Sequence, residues 1–281
     1  MYSRRLLRDK DLLFGAVLIG ALVLAACLAP WLSPHDPNEQ ALGHAYQPPA
    51  WLSGDPGHLL GTDSLGRDIL SRLLYGSQVA LWVAVAATSC SALIGVPVAL
   101  FAGYYRGTVD EALMRVVDIW MSFPPVLLAV VLMTIWGVGT LQVILAIVLV
   151  DWTRFARVVR GEVFNLRERD FVEAARALGM SDWRIMVEEI LPNLSPLLII
   201  LASLEMGLAV IVEALLSFVG LGVKAGTPSW GSMIAEGLGY FRTGWWGLAF
   251  PMAAIILVVL AFNVLGDGLR RRLDPRLTWV G

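Results

Sequence analysis

Long uncharged apolar runs alternate with short polar segments along this chain, and the runs have the length of membrane crossings. Residues 12–32 carry no charge over 21 positions. At about 1.5 Å rise per residue, a helix of that length matches one hydrocarbon core of roughly 30 Å. Residues 73–105 are uncharged over 33 positions, with the crossing predicted near 79–103 and Pro97 inside it. Residues 119–150 form a third uncharged run, of 32. As one helix it would reach about 48 Å, too long for a single crossing. Gly137-Val138-Gly139-Thr140 lies inside it and favours a turn. The pattern therefore predicts a helical hairpin, near 112–136 and 141–157. A fifth crossing follows Pro192 to about residue 219, interrupted by Glu205 and Glu213, and a sixth covers residues 243–266. The expected fold is all-α, with six transmembrane helices.

The arginines and lysines test this arrangement. With both termini on the cytoplasmic side, the inner segments hold Arg4, Arg5, Arg8 and Lys10, then Arg106 and Arg115. They continue with Arg154, Arg157, Arg160, Arg167, Arg169, Arg176 and Arg184, and end with Arg270, Arg271, Arg272 and Arg276. The outer segments hold only Arg67, Arg72, Lys224 and Arg242, so the split is 17 to 4. Basic residues favour the cytoplasmic side of a membrane protein. A single crossing through 119–150 would put the seven-arginine loop outside, so charge favours the hairpin independently of length.

Composition agrees. The chain is 57% hydrophobic and 16% charged, where a soluble domain carries about a quarter charged residues. A net charge of -2 leaves no basic field for nucleic acid. Cys27 and Cys90 both lie in apolar runs and read as small hydrophobes, not a disulfide framework. Leu24-Ala25-Ala26-Cys27 after a basic start resembles a processed leader. The apolar run continues past it to Leu32, so a retained crossing is expected.

The outer segment, 33–77, carries Pro34, Pro37, Pro48, Pro49 and Pro56 and reads as an extended, proline-stiffened loop with a short helix after Gly66. All three histidines, His35, His44 and His58, fall there without ligand-like spacing; they are expected to be surface groups, and no metal site is expected. Trp245 and Trp246 stand where an aromatic belt forms. Glu205 and Glu213 are pore or gate candidates, because an ionisable group in a membrane helix is a functional candidate by default. They lie about 80° apart around the helix. The alternative is a carboxyl held in helix packing by a local hydrogen bond.

The loop near 158–192 carries Phe171-Val172-Glu173-Ala174-Ala175-Arg176-Ala177-Leu178-Gly179 and closes at Ile190-Leu191-Pro192. Good helix formers end at a glycine suited to a helix terminus. Ser181 and Asp182 can start a second short helix that Pro192 limits or kinks. Ala174 and Ala175 would let a helix backbone approach a partner closely, with Glu173 and Arg176 supplying charge pairs at the rim. The other reading is an amphipathic helix resting on anionic headgroups.

Glu-Ala-Ala-x3-Gly, with Leu-Pro ending 19 residues after the glutamate, resembles the EAA loop of ABC-importer permeases. Gly61-Thr62-Asp63-Ser64-Leu65-Gly66-Arg67-Asp68, Glu213 to Gly222 followed by Thr227-Pro228-Ser229-Trp230-Gly231, and the tail from Gly266 to Arg276 resemble the C-type permease subunits of dipeptide, oligopeptide and nickel importers. Glu189 departs from the usual apolar residue two before the leucine. The resemblance implies the ABC type I importer permease fold with a cytoplasmic coupling helix. It implies ATPase contact at Glu173, Ala174, Ala175, Arg176, Gly179, Leu191 and Pro192, and an outer motif at Gly61, Asp63, Gly66, Arg67, Asp68, Trp230 and Gly231. It also implies a bacterial inner-membrane importer with a second similar permease, two ATPase subunits and an external solute-binding protein. The substrates it implies are di- or oligopeptides, or alternatively nickel or another small solute.

Residues 1–77 are expected to form a tail, first helix and outer loop, and 78–281 a five-helix core. Lys10 precedes Asp11 and Lys224 precedes Ala225, so no phosphate-binding Gly-x4-Gly-Lys-Ser/Thr loop exists. ATP and Mg are expected on the partner subunits, with no cofactor on this chain. An intramembrane enzyme would need a reactive constellation at one depth, and no histidine lies in any predicted crossing.

Overall fold

The computed structural model describes residues 10–273 except residue 55. Arg4, Arg5 and Arg8 and the tail motif Asp274-Pro275-Arg276 lie outside the described residues. Among the described residues the architecture is helical, with a single isolated bridge between Thr62 and Asp68. In chain order the helices are α1 (Lys10–Cys27), α2 (Ala29–Leu32), α3 (Ala50–Ser53), α4 (Ile69–Tyr105) and α5 (Gly107–Met121). They continue with α6 (Pro125–Trp136), α7 (Thr140–Arg167), α8 (Asp170–Ala177), α9 (Asp182–Arg184), α10 (Leu191–Phe218), α11 (Trp230–Gly239) and α12 (Trp246–Leu273).

Three helical stretches are long and apolar enough to cross a membrane: Ile69–Tyr105, Asp182–Phe218 and Trp246–Arg272. The bent pair of α5 and α6 makes a fourth if it is one span. The apolar part of α1, Leu12–Cys27, is shorter, because the helix breaks before Ala29 and Pro30 starts α2.

The turn expected at Gly137–Gly139 is present, and Gly139 donates its N–H to the Gly222 carbonyl at 2.9 Å. The limb before it is not one helix over 112–136. It is bent by 80° between Met121 and Pro125, where the proline pair Pro124-Pro125 removes two N–H donors and excludes the helical conformation from the preceding residue. The limb after it runs on to Arg167, ten residues past the predicted end at 157. The short helix expected after Gly66 is the start of α4 itself: Asp68 caps it by accepting the Ser71 N–H at 2.8 Å, and the helix continues unbroken through Pro97. Nor does Pro192 end a separate helix. A π-helical turn at Ile185–Ile190 joins α9 to α10; Pro192 cannot donate to the carbonyl four residues back, and widening the preceding turn accommodates its ring.

Among the described residues, two large buried clusters lie beside a small third one of Val117, Trp152 and Ala156. One, nearer the proline-rich end, includes Val83, Met133, Ile147, Leu216 and Trp230; the other, at the arginine-rich end, includes Phe155, Val163, Val172, Ile185 and Leu194. In both, small residues let helices approach, as lipid-embedded packing requires. At Gly95 of α4 an added Cβ would stand 2.4 Å from the Trp152 carbonyl oxygen and 2.6 Å from Phe155 Cβ of α7. Gly95→Val is therefore expected to destabilise the fold by about 1–3 kcal/mol or more, read as a lower thermal midpoint in detergent. An unchanged midpoint would contradict the α4–α7 contact.

Candidate functional site

At the arginine-rich end, α8 carries Asp170 and Glu173 in its first turn and Arg176 in its last, complementing the helix dipole. Leu178 caps it, and Gly179 follows at φ +80°. The Gly179 N–H bonds to the Arg176 carbonyl at 2.9 Å, and the Met180 N–H to the Ala175 carbonyl at 3.1 Å. This is the paired closure of a Schellman motif, which needs a left-handed residue at Gly179.

The helix has two faces. Val172 and Ala175 are buried against the cluster containing Ile185, Met186 and Ile190. Glu173, Ala174, Arg176, Ala177 and Leu178 are exposed, Leu178 at 84%. Of the two alanines Ala174 is exposed, and Ala175, about 100° further around the helix, is buried. Leu191 is half-buried, Pro192 exposed and Glu189 half-buried.

Tyr104, at the end of α4, ties this end together. Its hydroxyl donates to Asp182 Oδ1 at 2.7 Å, and the Arg176 guanidinium sits 5.3 Å from its ring centroid, a cation–π contact. Arg160 holds Asp110 through two donors, and Arg157 holds Asp118, so α7 is ion-paired to α5.

Between the two ends, Glu205 and Glu213 are both buried. Arg154 of α7 donates to Glu205 at 3.2 Å and lies 3.9 Å from Asp151. Ser217 donates to Glu213 Oε1 at 2.7 Å, one helical turn on. Both candidates thus have partners; Arg154 and Asp151 did not stand out in the sequence.

At the proline-rich end, Asp63 is 1% exposed and organises the outer motif. It accepts the backbone N–H groups of Leu65 and Arg67 at 2.8 and 3.0 Å, the Arg67 Nε at 2.6 Å, and the Arg72 Nη1. Both arginines also reach Glu236 of α11, at 2.6 and 2.7 Å. Gly66 has φ +75°, and a Cβ there would stand 1.9 Å from the Ala41 carbonyl oxygen, so only glycine fits. Gly61 is left-handed as well. Trp230 Nε1 donates to the Leu73 carbonyl at 3.1 Å, and at Gly231 a Cβ would meet the Ala214 carbonyl at 2.1 Å. Trp246 Nε1, expected in an aromatic belt, instead donates to the Thr62 carbonyl at 2.9 Å and is buried. Burial first, then the carboxylates of Asp63 and Glu236, push the Tyr240 phenol far above its usual range. The network borders a cavity of about 400 Å³ lined by Arg67, Arg72, Ser217, Lys224, Ser232 and Glu236. Glu236 escaped sequence reasoning because it lies 169 residues from Arg67 and outside any motif.

The histidines are not equivalent. His44 is exposed, but His35 and His58 are half-buried, which corrects their reading as surface groups.

Comparison with known proteins adds the following. Residues 95–279 match the family model described as "Binding-protein-dependent transport system inner membrane component", and residues 2–49 match "N-terminal TM domain of oligopeptide transport permease C". The di/tripeptide transport system permease protein DppC of Pseudomonas aeruginosa is 38% identical, over 96% of this chain and 89% of the relative. The glutathione transport system permease protein GsiD of Pectobacterium atrosepticum is 37% identical, over 98% of this chain and 90% of its own. Among solved structures, an inward-facing MetNI methionine ABC transporter chain aligns with a TM-score of 0.60 and 21% identity, over 72% of this chain and 96% of that one. This last likeness is one of fold.

Proposed function

The chain belongs to the family of binding-protein-dependent transport system inner-membrane components, and on that premise we propose that it is one of two similar permeases in an importer of di- and oligopeptides, driven through α8. It is a multi-pass protein of the bacterial inner membrane, a permease and not an enzyme; ATP hydrolysis belongs to separate ATPase subunits, and those subunits and a substrate-binding protein are its partners.

The observation that carries the coupling role is the two-sided α8. Its outer ridge of Glu173, Ala174, Ala177 and Leu178 is exposed among the described residues, while Val172 and Ala175 are packed on the helical turn that runs directly into α10. A partner ATPase seated on the ridge would move α10, and with it Glu205 and Glu213, as a rigid continuation. Tyr104 would carry the same displacement to α4. Closure of two ATPases, which hold the ATP and Mg, would thus shift the helices between two packings, a population change paid from differential ATP binding. An arrangement of six crossings with both termini inside would put this end in the cytoplasm, and the 17-to-4 division of basic residues supports that reading. The outer motif then faces the substrate-binding protein. Peptide substrates follow from the relatives' names.

Sidedness is the direct test. In a background where Cys27 and Cys90 are replaced, Ala177→Cys is expected to react with a membrane-impermeant thiol reagent only in inside-out vesicles; reaction in intact cells would remove the ATPase from reach of α8. Uptake of a labelled dipeptide against nickel in reconstituted importer is expected to favour the peptide.

A further inference from the structure

We propose that His35, His58 and Asp68 form a site for a divalent transition-metal ion, of the zinc, nickel or cobalt class, that fastens the proline-rich segment to the first turn of α4. The three side chains each bring one ligand atom, and these atoms lie within 4.8 Å of one another. His58 Nδ1 is 3.0 Å and His35 Nδ1 3.9 Å from the same oxygen, Asp68 Oδ1. Ligands about 2.0–2.1 Å from a tetrahedral ion stand roughly 3.3 Å apart, between those two separations. Two imidazoles and a carboxylate are the donors that hold such ions.

The surroundings are built for this. Asp68 Oδ2 is occupied by the Ser71 N–H at 2.8 Å and the Ser71 hydroxyl at 2.7 Å. These bonds orient the carboxylate and leave Oδ1 aimed at the two rings, the supporting role that outer-shell bonds serve at metal sites. The His35 backbone N–H is held on the same Ser71 hydroxyl at 3.2 Å, so the histidine backbone is fixed to the cap it faces. The rings of His35 and His58 lie 4.6 Å apart. His35 Nδ1 is buried and finds no hydrogen-bond partner among the described residues; a buried polar atom without one calls for an explanation, and an ion between the rings supplies it. The Asp68 side chain is fully buried, that of His58 12% exposed and that of His35 34%, so the ion would enter past His35 and keep an open position on that side. The competing explanation is a proton on His35 attracted to Asp68, which predicts no metal uptake. His44 Nδ1 is engaged by Gln47 Oε1 at 3.1 Å and is left out of the ligand set.

The test is metal binding by the whole importer in detergent, stripped with chelator and titrated with Co²⁺ and then Zn²⁺. The wild type is expected to take up one equivalent per copy of this chain, with the visible ligand-field absorption of imidazole-bound Co²⁺, and to release it to Zn²⁺. His35→Ala is expected to weaken binding by more than the ~10–100-fold that loss of an outer-shell partner costs. His58→Asn should do the same while keeping a donor for Asp68, so that its fold survives. Absence of a stoichiometric ion in the wild type, or full affinity in both variants, would overturn the site. Peptide uptake by the same preparations reports on the transport reading separately: metal binding without uptake sinks only the latter, and uptake without metal binding sinks only this site.

Discussion

Gly179→Val is expected to abolish peptide uptake while the protein still inserts and assembles. Gly179 sits at φ +80°, and beyond its chain neighbours no heavy atom of the described residues lies within 4 Å of where its Cβ would go. The cost is therefore backbone strain and not collision. A left-handed conformation costs an L-residue about 1–2 kcal/mol, and a β-branched side chain is the least tolerant. Set against a typical global stability of roughly 5–15 kcal/mol, that strain does not unfold the chain. It acts locally. The Gly179 and Met180 N–H groups, 2.9 and 3.1 Å from their carbonyl partners, would be pulled from the end of α8, and the connection to α9 would leave at a new angle. The exposed ridge would then lie out of line with the helix it is meant to drive. The measurement is labelled-peptide uptake in proteoliposomes beside ATP hydrolysis. A drop of at least about tenfold in uptake per ATP hydrolysed, the equivalent of 1.4 kcal/mol, with hydrolysis persisting, is the expected pattern. Gly179→Ala should show a weaker form of it. Wild-type uptake in Gly179→Val would leave the α8 terminus without a role in coupling.

Asp63→Ala is expected to have the larger effect on stability. The carboxylate is buried and serves two backbone donors and two arginines at once. Among the described residues, its removal leaves Arg72, itself 4% exposed, with Glu236 as its carboxylate partner. Breaking a buried ion pair by deleting one partner costs about 3–5 kcal/mol, because the remaining charge stays desolvated. The loss falls on the joint between the proline-rich segment, α4 and α11. Proteolysis should cut residues 33–68 far faster than in the wild type, and the thermal midpoint should fall. Asp63→Asn retains a hydrogen-bonding side chain and should lie between the two. Equal protease resistance in Asp63→Ala would show that the segment is held by something other than this network.

Three of the expected crossings, in Ile69–Tyr105, Asp182–Phe218 and Trp246–Arg272, were legible in the apolar runs because lipid imposes length and charge exclusion on every helix it surrounds. The glycine turn at 137–139 and the helix stop at Gly179 were legible for the same local reason: few residues adopt those backbone angles. The 80° bend before Pro125 was written in a proline pair but hidden inside an uncharged run, whose hydropathy is indifferent to direction. Other features had no local signal. Glu236 lies 164 residues from Arg72 and Arg154 lies 51 from Glu205; spacing in sequence says nothing about such pairs. The same holds for His35 and His58, which read as separate surface residues, and for Asp68, which read only as part of the outer motif, until three segments folded onto one helix cap.

Local chemistry along the chain thus determined where helices run, which loops are basic, and where a small-residue ridge stands between two stops, since each depends on burial length, dihedral preference or charge within a few neighbouring residues. Only the tertiary structure decided which alanine of that ridge faces outward, which carboxylates find arginines, and which histidines converge. Those outcomes depend on the angles at which helices pack, and packing angles are set by contacts between residues far apart in the chain.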